Sequence, residues 1–236
     1  MINSIDMLTN MAVMQISQLD CITHNIANVN TPGFKAERFR FPNGNEAVGT
    51  DADTPAQGPA IMVDYSRGII QKTGNVLDMA IDGDGFFAVQ TKAGVSYTKD
   101  GRFTLNKDGE LVTQSGDHVL GRGERIAIEG NNVQISEDGV ISVDGYEVNS
   151  LRIVSFSEPA ALIKQGSGFL NPDDIAGVKE EENSRVQSGY LELSNVQAIR
   201  EMVEMINIQR TFESYQKAIQ TISEQDKLST TRIGKL

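Results

Sequence analysis

The sequence is poor in the residues that support several common classes of protein. It has no tryptophan, one cysteine and 6% aromatic residues among 236. The lone Cys21 excludes an intrachain disulfide framework, and we expect it to be a small residue in or beside a helical core. No run of the chain approaches the ~20 apolar residues of a membrane-spanning helix. We therefore expect no membrane insertion.

Basic residues are also scarce, since 21 Lys and Arg stand against 32 Asp and Glu, which gives a formal net charge of −11. A surface that binds phosphate backbones needs clustered Lys and Arg. The charge therefore predicts no nucleic-acid partner. The first residues lack a basic region followed by an apolar run, so we also expect no cleaved secretory signal.

The sequence contains no combination of residues that predicts catalysis. There is no phosphate-binding loop and no nucleophile elbow. The Asp82-Gly-Asp84-Gly stretch resembles a calcium loop, but Phe86 and Ala93 stand where such a loop needs ligands. His24 and His118 with Cys21 are too few for a zinc site, and we expect His118 to be an exposed turn residue. We expect neither enzymatic activity nor a cofactor.

The N-terminal segment has the apolar spacing of one face of a long helix. The helix is predicted to begin at Asn3 or Ser4 and to end near Asn28, because Asn28-Val-Asn-Thr-Pro-Gly33 contains strong helix-stopping residues. Gln15 interrupts the apolar face. We expect that face to be an assembly interface formed by Ile5, Leu8, Ala12, Leu19, Ile22, Ile26 and Val29.

The C-terminal segment has the same spacing twice. A helix is predicted from Ser194 or Asn195 to Asp226 or Leu228. Its expected assembly interface consists of one apolar row, Met205, Ile208, Phe212, Tyr215, Ile219 and Ile222, and a second row, Val196, Ile199, Val203 and Ile206. Such rows are typical of a coiled-coil partner. The partner would be the other end of the chain or a neighbouring copy.

The middle of the chain favours β-structure. Six Asp-Gly pairs separate short apolar or alternating runs, and we expect them to supply the positive φ of tight turns. The clearest predicted hairpin joins residues 102–105 to 110–113. The sequence thus predicts an α+β protein with a central antiparallel sandwich or barrel-like domain. Four segments are expected: the N-terminal helix with its helix-end motif (1–35), an extended arm and flexible loop (36–68), the central β domain with a mixed C-terminal part (69–190) and the C-terminal helix (191–236).

Four ordered motifs resemble one family. They are His24-Asn-Ile-Ala-Asn-Val-Asn-Thr-Pro-Gly-Phe-Lys35, Leu77-Asp-Met-Ala-Ile-Asp-Gly-Asp-Gly-Phe-Phe87, the segment 97–121, and 189–196 with Glu201-Met-Val-Glu-Met-Ile206. In this order they resemble the bacterial flagellar rod and hook proteins. The family's N-terminal motif is matched by Asn25, Ala27, Asn28, Thr31, Gly33 and Phe34.

The resemblance implies a structural protein of the flagellar basal body. Rod proteins form the drive shaft that crosses the periplasm, and their two terminal helices form an inner coiled-coil layer. Their implied partners are copies of the chain, neighbouring rod proteins and the flagellar type III export apparatus, which leaves the N-terminus uncleaved. Chain length and residues 212–217 and 232–236 resemble one rod subtype, with the distal rod subtype as the alternative. A non-flagellar binding module with dimerising helices remains the other interpretation.

Overall fold

A computed structural model describes residues 2–40, 60–122, 125–130, 132–166, 168–171, 175–180 and 184–233, with side chains described from Met7 to Ile222 within these ranges and at Glu224. Within these ranges, one α-helix precedes and one follows eighteen strands along the chain. The helices are α1 (Ile2–Ala27) and α2 (Ala198–Ile233). A 3₁₀ turn covers Pro159–Ala161.

The strands are short, from two to six residues. In chain order they are β1 (Glu37–Arg40), β2 (Ala60–Val63), β3 (Ile70–Lys72), β4 (Met79–Asp82), β5 (Phe86–Thr91), β6 (Gly94–Thr98), β7 (Phe103–Leu105), β8 (Leu111–Thr113), β9 (His118–Val119), β10 (Val133–Ile135), β11 (Val140–Val143), β12 (Tyr146–Ser150), β13 (Ile153–Phe156), β14 (Ile163–Gln165), β15 (Gly168–Leu170), β16 (Val178–Glu180), β17 (Arg185–Ser188) and β18 (Tyr190–Glu192).

The described residues form two compact units, and each is considered by itself. Unit 1 contains Met1–Ala27, Glu37–Asp64 and Val196–Leu236, and unit 2 contains Asn28–Ala36 and Tyr65–Asn195. Both units therefore use segments from the two ends of the chain. The combination of two terminal helices with a central β domain confirms the predicted α+β class. The four predicted segment boundaries stay a prediction.

Helix α1 ends where the sequence contains its stop signals. The Thr31 amide donates to the Asn28 carbonyl at 3.0 Å, and the Phe34 amide donates to the Thr31 carbonyl at 3.2 Å, so consecutive turns follow the last helical residue, Ala27. Val29, which the spacing had placed on the helical face, consequently lies in a turn. The helical prediction was wrong at this position because Pro32 and the turn-favouring asparagines outweigh periodicity.

Helix α2 begins later than predicted. Its first residue is Ala198, so Val196 precedes the helix. Asn195 does not cap it, because its side chain is used elsewhere: Oδ1 accepts from the Ala36 amide at 2.8 Å and Nδ2 donates to the Ser66 carbonyl at 3.0 Å. The cap prediction failed because these distant partners cannot be read from local sequence.

The β-structure of unit 2 is antiparallel in every strand pair among the described residues. Its largest sheet has the order β14-β15-β6-β5-β9-β8-β7, and β13 adds to β5 and to β16. Three further sheets are β10-β11-β12, β17-β4 and β18-β3. The predicted hairpin is confirmed as β7-β8, with Leu105 opposite Leu111. In this order β5 is an interior strand, paired with β6 along one edge and with β9 and β13 along the other.

The core of unit 2 lies against one side of β5. Phe87 and Val89 point into a cluster that includes Met79, Phe103 and Leu111. The rings of Phe87 and Phe103 meet edge to face with centroids 5.1 Å apart. The other side of β5 is also covered, because the Phe86 ring contacts those of Tyr65, Phe156 and Phe169. A strand that is buried on both faces has a continuous apolar sequence, as Phe86–Val89 does.

The Asp-Gly pairs divide into two kinds. Gly109, Gly139 and Gly145 have positive φ, as predicted for turns. The glycines at 83, 85 and 101 do not, so the turn prediction was wrong for those three pairs. Gly101 is required by close packing, because a Cβ there would lie 1.6 Å from the Met79 carbonyl oxygen. The Asp-Gly dipeptide alone does not show whether its glycine is required for a positive φ or for close packing.

Candidate assembly interface

Helices α1 and α2 pack against each other in unit 1. Apolar side chains of both helices meet in this contact: the buried Ile208 and the half-buried Phe212 of α2 lie beside the half-buried Leu19 of α1, and Ile22 of α1 is also buried. Residues three or four positions apart share one side of a helix, so each contributes one row to the contact. The Gln18 amide donates to Glu204 Oε1 at 3.1 Å and adds a polar tie at the edge.

The residues expected to form the assembly interface fall into three groups. Those facing the other helix or otherwise covered are Leu8, Ala12, Leu19, Ile22, Ile26, Val29, Val196, Met205, Ile208, Phe212, Tyr215, Ile219 and Ile222. Those exposed are Ile199, Val203 and Ile206. The side chain of Ile5 lies outside the described residues. The role of all of them in assembly stays a prediction.

The exposed apolar side of α2 is the most conspicuous surface of unit 1. Ile199 is 81% exposed, and Met202, Val203 and Ile206 are each about half exposed. They follow the spacing of a single helical face and lie opposite the buried Glu201 and Ile208. We name these four residues the α2 stripe. Contiguous exposed apolar residues of this kind mark a surface used for protein contact.

A buried polar cluster closes one end of the helix pair. The Asn25 amide donates to Glu201 Oε2 at 3.2 Å and to the Glu37 carbonyl at 2.8 Å, and its Oδ1 accepts from the Glu37 amide at 2.8 Å. Arg38 Nη1 donates to Glu201 Oε1 at 2.9 Å. Asn25 and Glu201 are each 1% exposed. Because each buried polar group needs its partner, the cluster fixes one alignment of α1, α2 and β1.

Motif residue Ala27 is the last residue of α1 in unit 1, and the remaining motif residues lie in unit 2. Glycine is required at position 33 for two reasons. Its φ is +69°, and a Cβ would lie 2.2 Å from the Lys99 carbonyl carbon. Its amide donates to the Glu192 carbonyl at 2.7 Å. The next residue, Phe34, is buried, with Lys164 Nζ 3.7 Å from its ring centroid. Motif residues Thr31 and Asn28 bond to each other in the preceding turn, at 3.3 Å between their side chains.

Glu192 is the centre of a buried ionic cluster in unit 2. Its Oε1 accepts from Lys35 Nζ at 2.7 Å and from the Gly68 amide at 2.8 Å, and its Oε2 lies 4.0 Å from Lys99 Nζ. Lys99 also donates to the Gly83 carbonyl at 2.7 Å. Burial lowers the pKa of Lys99 to about 8, although the charge of Glu192 acts in the opposite direction. Two buried lysines thus share one buried carboxylate.

Sequence reasoning missed the polar partners of these two clusters. No sequence pattern singled out Arg38, Glu192 or Glu201 as buried partners, although Glu192 and Glu201 are nearly inaccessible to water. His118 was also misread, because it lies on β9 with its Nδ1 3.3 Å from Glu110 Oε2 and its side chain 23% exposed. One signal was available in the sequence. Glu201 lies in the same helical row as Met205 and Ile208, and a charged residue inside an apolar row indicates that its charge is buried.

Three segments match known protein families. Residues 14–35 match "Flagella basal body rod protein", residues 80–143 match "Flagellar hook protein FlgE/F/G D1 domain", and residues 187–231 match "Flagellar basal body rod FlgEFG protein C-terminal". The chain is 34% identical over 227 residues to the flagellar basal-body rod protein FlgF of Caulobacter vibrioides, covering 93% of each chain. This chain belongs to the flagellar rod and hook protein family.

Other relatives in the flagellar rod and hook family include both rod subtypes. The chain is 35% identical over 241 residues to the flagellar basal-body rod protein FlgG of Bacillus subtilis, covering 88% of this chain and 90% of that protein. It is 32% identical to FlgF of Mesorhizobium japonicum, covering 91% of both. Among the described residues, no helix is long and apolar enough to cross a membrane.

Proposed function

We propose that this chain is a structural, non-enzymatic subunit of the flagellar basal-body rod, and that it transmits torque for motility. Family membership over most of the chain is the observation that carries the proposal. Its partners are further copies of the chain and neighbouring rod proteins. It reaches the periplasm-spanning rod through the flagellar type III export apparatus without loss of a signal peptide.

The terminal helices are the assembly elements in this proposal. They form an inner coiled-coil layer, with the sandwich-like β domain on the outside. The α2 stripe supports this role, since unit 1 buries one side of α2 and leaves four large apolar side chains of the other side in water. A long helix gains most of its stability from tertiary packing, so a second covered side would stabilise it further.

A deletion strain tests the proposal, with swimming and electron microscopy of basal bodies as the measurements. The wild-type gene should restore swimming and complete rods. The Ile199→Glu gene should restore neither swimming nor complete rods, because it places a charge in the α2 stripe while leaving the core of the monomer intact. Gln220→Glu is the matched control, since it adds the same charge at an exposed polar position of the same helix. Normal swimming and complete rods in the deletion strain would refute the proposal.

The distal rod subtype is a second candidate, favoured by the 35% identity to FlgG of Bacillus subtilis. The two subtypes differ in where the rod stops when the subunit is missing. If basal bodies from the deletion strain end within an incomplete proximal rod, the FlgF type is supported. If an intact proximal rod remains and the distal rod is lost, the FlgG type is supported.

A further inference from the structure

An apolar groove runs between α1 and α2 beside the seam. It has a volume of about 170 Å³ and is lined by Gln15, Ile16 and Leu19 of α1 and by Ile208, Phe212 and Glu213 of α2. An apolar cavity of roughly 150 Å³ holds a benzene-sized group. The groove is therefore large enough for one branched aliphatic or thioether side chain.

The groove also carries a polar signal. Gln15 Oε1 is buried there and accepts no hydrogen bond from the described residues. A buried carbonyl oxygen without a donor is costly, so an occupant that brings a donor is favoured. Glu213, an exposed residue of the lining, adds a negative charge at the entrance. The groove thus favours an occupant with an apolar side chain next to a positively charged donor.

The α2 stripe has this combination. It contains three branched aliphatic side chains and one thioether, and the exposed Arg200 and Arg210 lie at its two ends. The guanidinium group of arginine provides donors for both an amide oxygen and a carboxylate. The stripe lies about 12 Å from the groove along α2. This distance follows from the helical rise per residue between Val203 and the centre of the groove near residue 211. The stripe of one chain therefore cannot fill its own groove.

We propose that the groove receives the α2 stripe of a second copy of this chain, with Ile199 or Met202 inserted and an arginine facing Gln15 and Glu213. This inference rests on the proposed function and specifies its contact. The two surfaces are different patches of one unit, displaced along the helix. Contacts between different patches are heterologous, and repeating them with an axial offset builds a helical filament.

Disulfide crosslinking in assembled basal bodies tests the contact. A deletion strain produces two full-length versions carrying different epitope tags, both with Cys21→Ser: one has Ile199→Cys in the stripe, and the other has Glu213→Cys in the groove lining. After mild oxidation, the mixed disulfide between the two tags should exceed by several-fold that of a control pair in which Gln220→Cys replaces Glu213→Cys. Both introduced cysteines are exposed, and the buried Cys21 is replaced by serine, a side chain of similar size, so the monomer should fold.

The outcomes distinguish a failure of the proposed groove contact from a failure of the proposed rod function. A disulfide mainly between two Ile199→Cys copies, or equal yields with the Gln220→Cys control, would overturn the groove contact while leaving the rod assignment in place. The absence of any disulfide, with thiols that still react after denaturation, would overturn it as well. If the tagged chain is missing from basal bodies that are complete, both the contact and the proposed function fail.

Discussion

Breaking the buried Lys35–Glu192 pair should destabilise unit 2 strongly. The two charged groups are 2.7 Å apart, and their side chains are 1% and 3% exposed. Removing one partner of a buried pair leaves an uncompensated charge and costs about 3–5 kcal/mol. We expect about 4 kcal/mol for Glu192→Gln, which removes the buried carboxylate that Lys35 and Lys99 share. We expect about 3 kcal/mol for Lys35→Met, because Lys99 still faces the carboxylate.

Urea unfolding measures these losses, and tyrosine fluorescence can follow it because the chain has no tryptophan and four of its five tyrosines lie in unit 2. The Lys35→Met/Glu192→Gln double variant should cost less than the sum of the two single changes by roughly 2 kcal/mol, since contacting residues couple. Arg67→Met is the control, because its pair with Asp82 is exposed and worth at most about 1 kcal/mol. Equal losses for Arg67→Met and Glu192→Gln would refute the reasoning.

Three further predictions concern the interior of unit 2. Because Lys99 has a pKa of about 8 in the folded chain and 10.5 as its ordinary value, unfolding takes up a proton between these pH values, so the free energy of unfolding should rise with pH in this window; Lys99→Met should lose that rise in urea titrations at several pH values. Phe87→Ala should lower the free energy of unfolding by about 3–5 kcal/mol, and a loss below 1 kcal/mol would contradict its place in the core. Gly101→Ala should lower the melting temperature more than Gly116→Ala, which has positive φ but open space around it, and the reverse order would contradict the packing argument.

Elements with a strong local signal could be predicted from the sequence. Helix α1 ends within a residue of its expected stop, and the hairpin β7-β8 lies where Asp108-Gly109 separates two short apolar runs. In both cases the cause is local: proline restricts the preceding residue, and glycine provides a positive φ. Hydrophobic periodicity likewise indicated the helical segments, although it placed Val29 and Val196 on helices that do not include them.

Long-range polar pairing could not be predicted in the same way. Lys35 and Glu192 are separated by 157 residues, and Asn25 and Glu201 by 176. Nothing near Glu192 in the sequence shows that its carboxylate becomes buried, since burial depends on the strand pairing of β18 with β3. Periodicity also could not separate the two apolar rows: Ile208 and Phe212 of the first row lie beside α1, while Ile199, Val203 and Ile206 of the second are exposed.

The two buried polar clusters explain why the end motifs contain polar residues inside otherwise apolar segments. The N-terminal motif supplies Asn25 to unit 1 and Lys35 to unit 2, while the C-terminal motif supplies Glu201 and Glu192 to the same two units. An apolar seam can slide by one turn at little cost, but a buried carboxylate has acceptable partners in only one alignment. Each unit therefore has a buried carboxylate whose polar contacts join the two ends of the chain in a defined register. A filament subunit needs that register, because an error of one turn would move the α2 stripe by about 5 Å relative to α1.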